Sequence, residues 1–178
     1  GSIPHSLPAV KFAVETALMD FNRQGTSTWI EGIPVNGLVW MEDAEGMLKQ
    51  VDVLIENGYK TIKIKVGTLP FYEELELLEE IRRRCPSSDF TLRLDANGAF
   101  SKQSPDGLTA LEKLQILYNA GLDLHSIEQP ISPGLIEEMA ELCASSPVPI
   151  ALDEELIQVR SKSEKRALLF CFILSSFI

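Results

Sequence analysis

The chain is poor in cysteine, poor in histidine and short of positive charge, and each shortage removes a class of function. Its three cysteines, Cys85, Cys143 and Cys171, are odd in number and lack metal-ligand spacing. They point away from a disulfide framework or thiolate metal site and towards a reducing, cytoplasmic setting. Lys and Arg total 16 against 26 Asp and Glu, a formal net charge of −10. So acidic a chain is not expected to bind nucleic acid or an anionic membrane surface. The longest apolar run, Ala167 to Ile178, falls short of the roughly 20 residues that cross a bilayer. The start, GSIPHSLPAV, has no initiator Met and no basic flank leading into an apolar stretch. No signal peptide is expected, and the chain reads as a processed product or a piece of something longer. Neither histidine carries a chemical expectation: His125 is near Glu128 in sequence but off its face.

What is present is periodicity. Leu7 to Asn22 places Val10, Val14, Ala17, Leu18 and Phe21 at helical spacing. The apolar run Ile33 to Met41 reads as a buried strand; Trp40 near its end could contact a substrate but reads first as a core or rim aromatic. A helix follows from Ala44 to Asn57, with Gly58 as its terminator, then the strand YKTIKIKV. Phe71 to Arg84 reads as a helix with acids early and arginines late, matching the helix dipole, and Pro86 ends it. Strand FTLRLDA, helix Leu108 to Ala120, strand LHSIEQ, helix Leu135 to Cys143 and strand VPIALDE complete the pattern. Lys65, Asp95, Glu128 and Asp153 mark successive strands about 25–33 residues apart, the size of a βαβ unit. Alternating strands and helices imply a parallel sheet covered by helices.

An open doubly wound sheet and a closed barrel both satisfy that alternation, and the polar residues inside the strands decide between them. Period 2 puts Lys63 and Lys65 on one face and Ile62, Ile64 and Val66 on the other. Arg93 and Asp95 oppose Leu92 and Leu94; Ser126 and Glu128 oppose Ile127; Ala151 and Asp153 oppose Ile150 and Leu152. Four consecutive strands thus carry one apolar face and one face charged towards its carboxyl end. Helices on both sides of an open sheet would bury those charges at severe cost. A barrel gathers them at its mouth, where sites of that fold are built.

Each motif has a local alternative. The lysines could guard a strand edge, and Asp95-Ala96-Asn97-Gly98 could be a turn. Glu128-Gln129-Pro130 could open a loop, and Asp153-Glu154-Glu155 could cap a helix. Their placement at one end of consecutive strands favours a common site. Three converging carboxylates need a cation between them, and hard oxygen ligands suit Mg²⁺. Lys63, Lys65 and Arg93 lie one layer away, where mutual repulsion and the metal should lower a lysine pKa. A neutral lysine beside a metal-bound carboxylate could take the α-proton, the metal stabilising the enediolate.

The segments KIKVG, RLDANGAF, SIEQPI and PIALDEEL together resemble the enolase superfamily, muconate-lactonizing subgroup, and the likeness runs from Leu7 to Leu156. Within it, IPVNGLVWM, HSIEQPI and ALDEEL look like the o-succinylbenzoate synthase family. The resemblance implies an α/β fold: a (β/α) TIM-type barrel truncated to its first five strands, preceded by the end of an α+β capping domain. Residues 1–31 would be the end of that domain and a linker, and 32–157 the partial barrel. Asp95, Glu128 and Asp153 would hold Mg²⁺. Lys65, paired with Lys63, would be the catalytic acid/base, with Lys63 and Arg93 supporting it electrostatically. Asn97 and Glu154 would lie at the site edge. The substrate would be a small-molecule carboxylate: proton removal from a cyclohexadiene carboxylate and loss of water, a step of menaquinone biosynthesis.

Two departures accompany the likeness. The family's second catalytic lysine lies on a sixth strand that this sequence does not reach. After Leu156 the pattern dissolves; Lys165 to Leu169 still resembles the family's helix and the next residues do not, so 158–178 reads as an aberrant or truncated tail. A full barrel takes about 250 residues; five strands leave edges open, so the chain alone is expected to be poorly stable and catalytically weak. An N-acylamino acid racemase or dipeptide epimerase of the same superfamily and an inactive fragment are the alternatives. A phospho-acceptor domain has no need of the inward lysine pair.

Overall fold

The computed structural model describes residues 7–22, 34–101, 107–157 and 163. The chain divides into two compact units, Gly1–Pro34 and Val35–Ile178. In the first, α1 (Pro8–Asn22) forms where the helical spacing places it and buries none of its residues. The tail expected at 158–178 lies outside the described residues, Ser163 apart.

The second unit alternates strand and helix throughout: β1 (Gly37–Val39), α2 (Ala44–Glu56), β2 (Thr61–Lys65), α3 (Phe71–Arg84), β3 (Thr91–Asp95), α4 (Ala110–Asn119), β4 (Leu124–Glu128), α5 (Ile136–Ser145), β5 (Ile150–Ala151) and α6 (Glu154–Ile157). All pairings between these strands are parallel, and the strands lie in the order β1-β2-β3-β4-β5. A doubly wound sheet reverses its strand order at a switch point. Here the winding never reverses, which is how the first part of a β/α barrel is laid down.

Local signals account for the helix ends. Asp43 caps α2, its side chain accepting from the Gly46 N–H at 2.8 Å. Thr109 and Glu112 form a reciprocal capping box on α4. Gly58 and Gly121, both at positive φ, follow α2 and α4, because a Cβ would strain that left-handed stop. α3 spans the residues its charge pattern marks, but its arginines do more than complement a dipole. The Arg82 guanidinium donates to the carbonyls of Cys85, Phe90, Leu122 and Asp123, tying the end of α3 to the segments entering β3 and β4. Arg84 pairs with Asp52 of α2 at 2.8 Å.

The period-2 reading of the strands holds. Ile62, Ile64, Leu94 and Ile127 are fully buried, whereas Lys63, Lys65 and Arg93 are half-buried on the opposite face. Helix residues Met47, Val51, Leu78, Ile81, Leu114, Leu117 and Met139 close over the apolar face, forming one continuous core. Side chains of this size contribute about 1.5–3 kcal/mol each when taken out of water.

Two strands are shorter than the apolar runs suggest. β1 keeps three residues of its run: Pro34 has no N–H for a ladder, and the Gln50 side chain takes both the N–H and the carbonyl of Trp40. β5 keeps two, because Pro149 precedes it and the chain turns into α6 directly after Asp153. Between β3 and β4 the register slips, Leu92 facing Leu124 while Arg93 faces Ser126. His125 is the extra residue of this bulge and is exposed.

Candidate active site

Parallel pairing in register brings the polar strand ends together. Lys63 stands opposite Arg93, Lys65 opposite Asp95, and Asp95 opposite Glu128. The side chains then meet across the three strands. The Lys63 ammonium lies 2.8 Å from Asp95 Oδ2 and 2.8 Å from the Glu128 carboxylate. The Lys65 ammonium lies 2.7 Å from the same Asp95 oxygen and 2.6 Å from Asn97 Oδ1. The face of the Trp40 ring lies 5.6 Å from Lys65 Nζ, a cation–π distance.

Asp95 is the centre of this arrangement and is 1% exposed. Burial pushes its carboxyl pKa up, but the hydrogen bonds and charges of Lys63 and Lys65 outweigh burial and hold it below the ordinary value. Lys63 departs from the lowering that mutual repulsion among the cations suggests. Burial does lower its pKa, yet Asp95 and Glu128, in direct contact, outweigh burial and raise it above the ordinary lysine value. Two carboxylates within hydrogen-bond distance count for more than a neighbouring cation farther off.

The turn after β3 extends the site. Asn97, at φ +44°, donates its backbone N–H to Asp95 Oδ1 at 3.2 Å and its amide to Glu154 Oε1 at 2.6 Å. The other Glu154 oxygen and Arg93 Nε are buried without a hydrogen-bond partner among the described residues. Asp153, at the end of β5, is exposed. Among the described residues no group of three His, Cys, Asp or Glu side chains comes close enough to hold a metal ion. Asp95 and Glu128 share one cation, Lys63, while Asp153 is not brought onto it.

Three residues outside the expected site set hold the turns around it. Gln129, Glu155 and Glu74 are all buried. The Gln129 amide oxygen accepts the backbone N–H groups of Asp153 and Glu155, each at 3.2 Å. Glu155 in turn accepts from Gly134 in the loop after β4. Glu74 accepts the Gly67 N–H at 2.7 Å, two residues beyond Lys65. A polar residue inside the first turn of an otherwise apolar helix face was the available signal for Glu74. Nothing in the local pattern distinguishes Gln129 from an ordinary loop residue.

Sequential parallel strands with an ion-pair network at their carboxyl ends define a β/α-barrel protein. The chain matches the enolase C-terminal domain-like family over residues 46–164 and belongs to it. It is 42% identical to the o-succinylbenzoate synthase of Desulfotalea psychrophila over 159 residues, 84% of this chain and 41% of that protein. It is 28% identical to the N-succinyl-L-Arg/Lys racemase of Bacillus cereus, over 93% of this chain and 44% of that one. Among solved structures, the o-succinylbenzoate synthase of Thermosynechococcus elongatus, complexed with Mg in the active site, superposes with TM-score 0.73. That match has 28% identity and covers 95% of this chain and 49% of that one. The chain thus spans less than half the length of these relatives, and the five strands are part of a barrel.

Proposed function

We propose that the chain is part of a Mg²⁺-dependent dehydratase of the o-succinylbenzoate synthase type, acting in menaquinone biosynthesis. It would remove a proton α to a carboxylate and expel water. The observation that carries this reading is the meeting of Lys63 and Lys65 on one oxygen of Asp95, with Glu128 alongside. Proton abstraction next to a carboxylate needs an amine base and a sink for negative charge within reach of each other.

The donor set suits Mg²⁺. Asp95 and Glu128 converge on a single positive charge, that of Lys63, and with Asp153 they would offer three hard carboxylate ligands. Bound there, the metal would supply charge stabilisation to the substrate carboxylate. Lys65 would exchange the α-proton at Nζ, held in place by Asp95, Asn97 and the Trp40 ring. Lys63 and Arg93, on the same strand faces, would draw in the anionic substrate. Asn97 and Glu154, joined by a 2.6 Å hydrogen bond, would form the rim.

In this reading residues 1–31 are the end of a capping domain and 32–157 part of the barrel, and the family match extends to residue 164, into the 158–178 tail. The setting is cytoplasmic: Cys85 and Cys143 are free thiols, one buried and one half-buried. No helix among the described residues is long and apolar enough to cross a membrane.

A second reading has its own support. The Bacillus cereus racemase aligns with 93% of this chain, and racemisation needs the same first half-reaction. Assaying the purified chain with Mg²⁺ on the cyclohexadiene dehydratase substrate and on N-succinyl amino acids separates the two. Turnover of the first alone supports the dehydratase; turnover of only the second replaces it with a racemase. Neither turnover, with the chain folded, assigns it as an inactive fragment.

A further inference from the structure

The β4–β5 ladder is unusually short, pairing only Ile127 with Ile150 and Glu128 with Ala151. It continues for one more hydrogen bond, from the Gln129 N–H to the Ala151 carbonyl at 2.9 Å. Asp153 lies beyond its reach, and what meets its backbone there is a side chain. The Gln129 oxygen accepts both the Asp153 and the Glu155 N–H, replacing the strand partner that β5 no longer has.

Gln129 is 0% exposed and sits at φ +41°. That is a left-handed conformation a non-glycine residue adopts at a cost, and it persists where the surroundings determine it. Those surroundings are explicit. The Gln129 amide nitrogen donates to the Ile131 carbonyl at 3.0 Å. Its backbone carbonyl accepts the N–H of Gly98, which directly follows Asn97, at 2.7 Å. One buried residue therefore joins the turns that follow Asp95, Glu128 and Asp153.

The contact from the other side is reciprocal. Glu155, 7% exposed, directs both carboxylate oxygens to the Gly134 N–H at 3.1 Å, so the β5 turn grips the β4 loop as the β4 loop grips it. Both links run from a side chain to backbone amides, so they fix the path of the main chain. With the ladder ended at Glu128 and Ala151, these links control where the exposed Asp153 carboxylate lies.

We infer that Gln129 and Glu155 form a reciprocal clamp between the loops after β4 and β5, and that this clamp positions Asp153 relative to Asp95 and Glu128. The inference rests on reading those three carboxylates as metal ligands. Gln129 and Glu155 are positioning residues, acting on the cation only through the Asp153 backbone.

Mn²⁺ titration of the chain, read by electron paramagnetic resonance, and amide hydrogen exchange test this together. Gln129→Met keeps length and removes the acceptor. It is expected to weaken Mn²⁺ binding by about tenfold or more, the usual effect of losing a residue that orients a ligand, and to speed exchange at the Asp153 and Glu155 amides. Glu155→Gln, which retains an acceptor for Gly134, should keep most of the affinity that Glu155→Leu loses. This pair carries the test should Gln129→Met fail to fold. Unchanged Mn²⁺ affinity with unchanged protection of both amides overturns the clamp, as does a lowered melting temperature without either effect. A parent chain binding Mn²⁺ no better than its Asp95→Asn variant overturns the ligand reading instead. Exchange at the two amides then decides the clamp alone.

Discussion

Lys63 and Glu128, on β2 and β4, meet across the intervening strand: the ammonium lies 2.8 Å from each carboxylate oxygen. The same ammonium touches buried Asp95 on β3, so one cation ties three strands at their carboxyl ends. Replacing Lys63 by Met leaves Asp95 with Lys65 alone and Glu128 without its amine. Breaking a largely desolvated ion pair from one side costs several kcal/mol because the other charge stays behind. About 2 kcal/mol is expected here, since Lys63 and Glu128 retain some exposure. Urea unfolding measures it. A K63M midpoint at or above the parent's would mean the amine does not hold the carboxylates.

Glu74 gives the stability of the chain a pH dependence. Its carboxyl is pushed up to about 7, chiefly by burial, against the N–H groups of Gly67, Thr68 and Leu69 and the charge of Lys113. A carboxyl that binds its proton more tightly folded than unfolded stabilises the fold below its ordinary value, near 4.5, and that contribution is lost as pH rises through about 7. The loss is on the order of 3 kcal/mol across that window. Glu74→Gln should remove it. Urea unfolding at pH 5 and pH 8 should therefore show a smaller drop for the variant than for the parent. Equal drops would assign the pH dependence elsewhere.

The parts of this fold visible in the sequence were those with a period. Alternation in β2 and β3 gave the inward lysines and acids, and α3 appears with the bounds its charge pattern set. The shortness of β1 and β5 was hidden because apolar content marks a buried segment, not one that pairs. The Gln50 side chain claims the Trp40 backbone, a long-range contact with no periodic signature. The raised Lys63 pKa was obscured likewise: spacing shows which residues share a face, while its value depends on carboxylates at 2.8 Å. Gln129 is not marked by its neighbours along the chain because its role lies in five hydrogen bonds, to Gly98, Ile131, Ala151, Asp153 and Glu155.

Gly67 follows the Lys65 strand at φ +93°, and a Cβ there would lie 2.3 Å from the Ala99 Cβ in the turn after Asp95. Two penalties coincide, one conformational and one steric. Gly67→Ala should destabilise the chain by about 2 kcal/mol or more. The neighbour is a Cβ bonded directly to backbone, so relief requires the turns after β2 and β3 to part. Chemical shifts of the Asn97 and Gly98 amides should move along with the loss of stability. A G67A variant as stable as the parent, with those shifts unchanged, would show that the turns are not packed this closely.

If Asp95, Glu128 and Asp153 hold a divalent cation, Mg²⁺ must stabilise the folded chain, because the unfolded chain has no preformed site. The gain follows from mass action, about 1.4 kcal/mol at roughly tenfold excess over the dissociation constant. Asp95→Asn removes a central ligand and should abolish the gain. Lys63→Met should behave oppositely. It frees two carboxylates from a competing ammonium, so Mg²⁺ should restore part of the stability that substitution removes. Thermal unfolding of the three proteins with and without Mg²⁺ measures all of this. Equal stabilisation of the parent and D95N would place the cation outside the site. A larger Mg²⁺ response in K63M than in the parent, with none in D95N, would place metal and lysine in competition for the same two carboxylates.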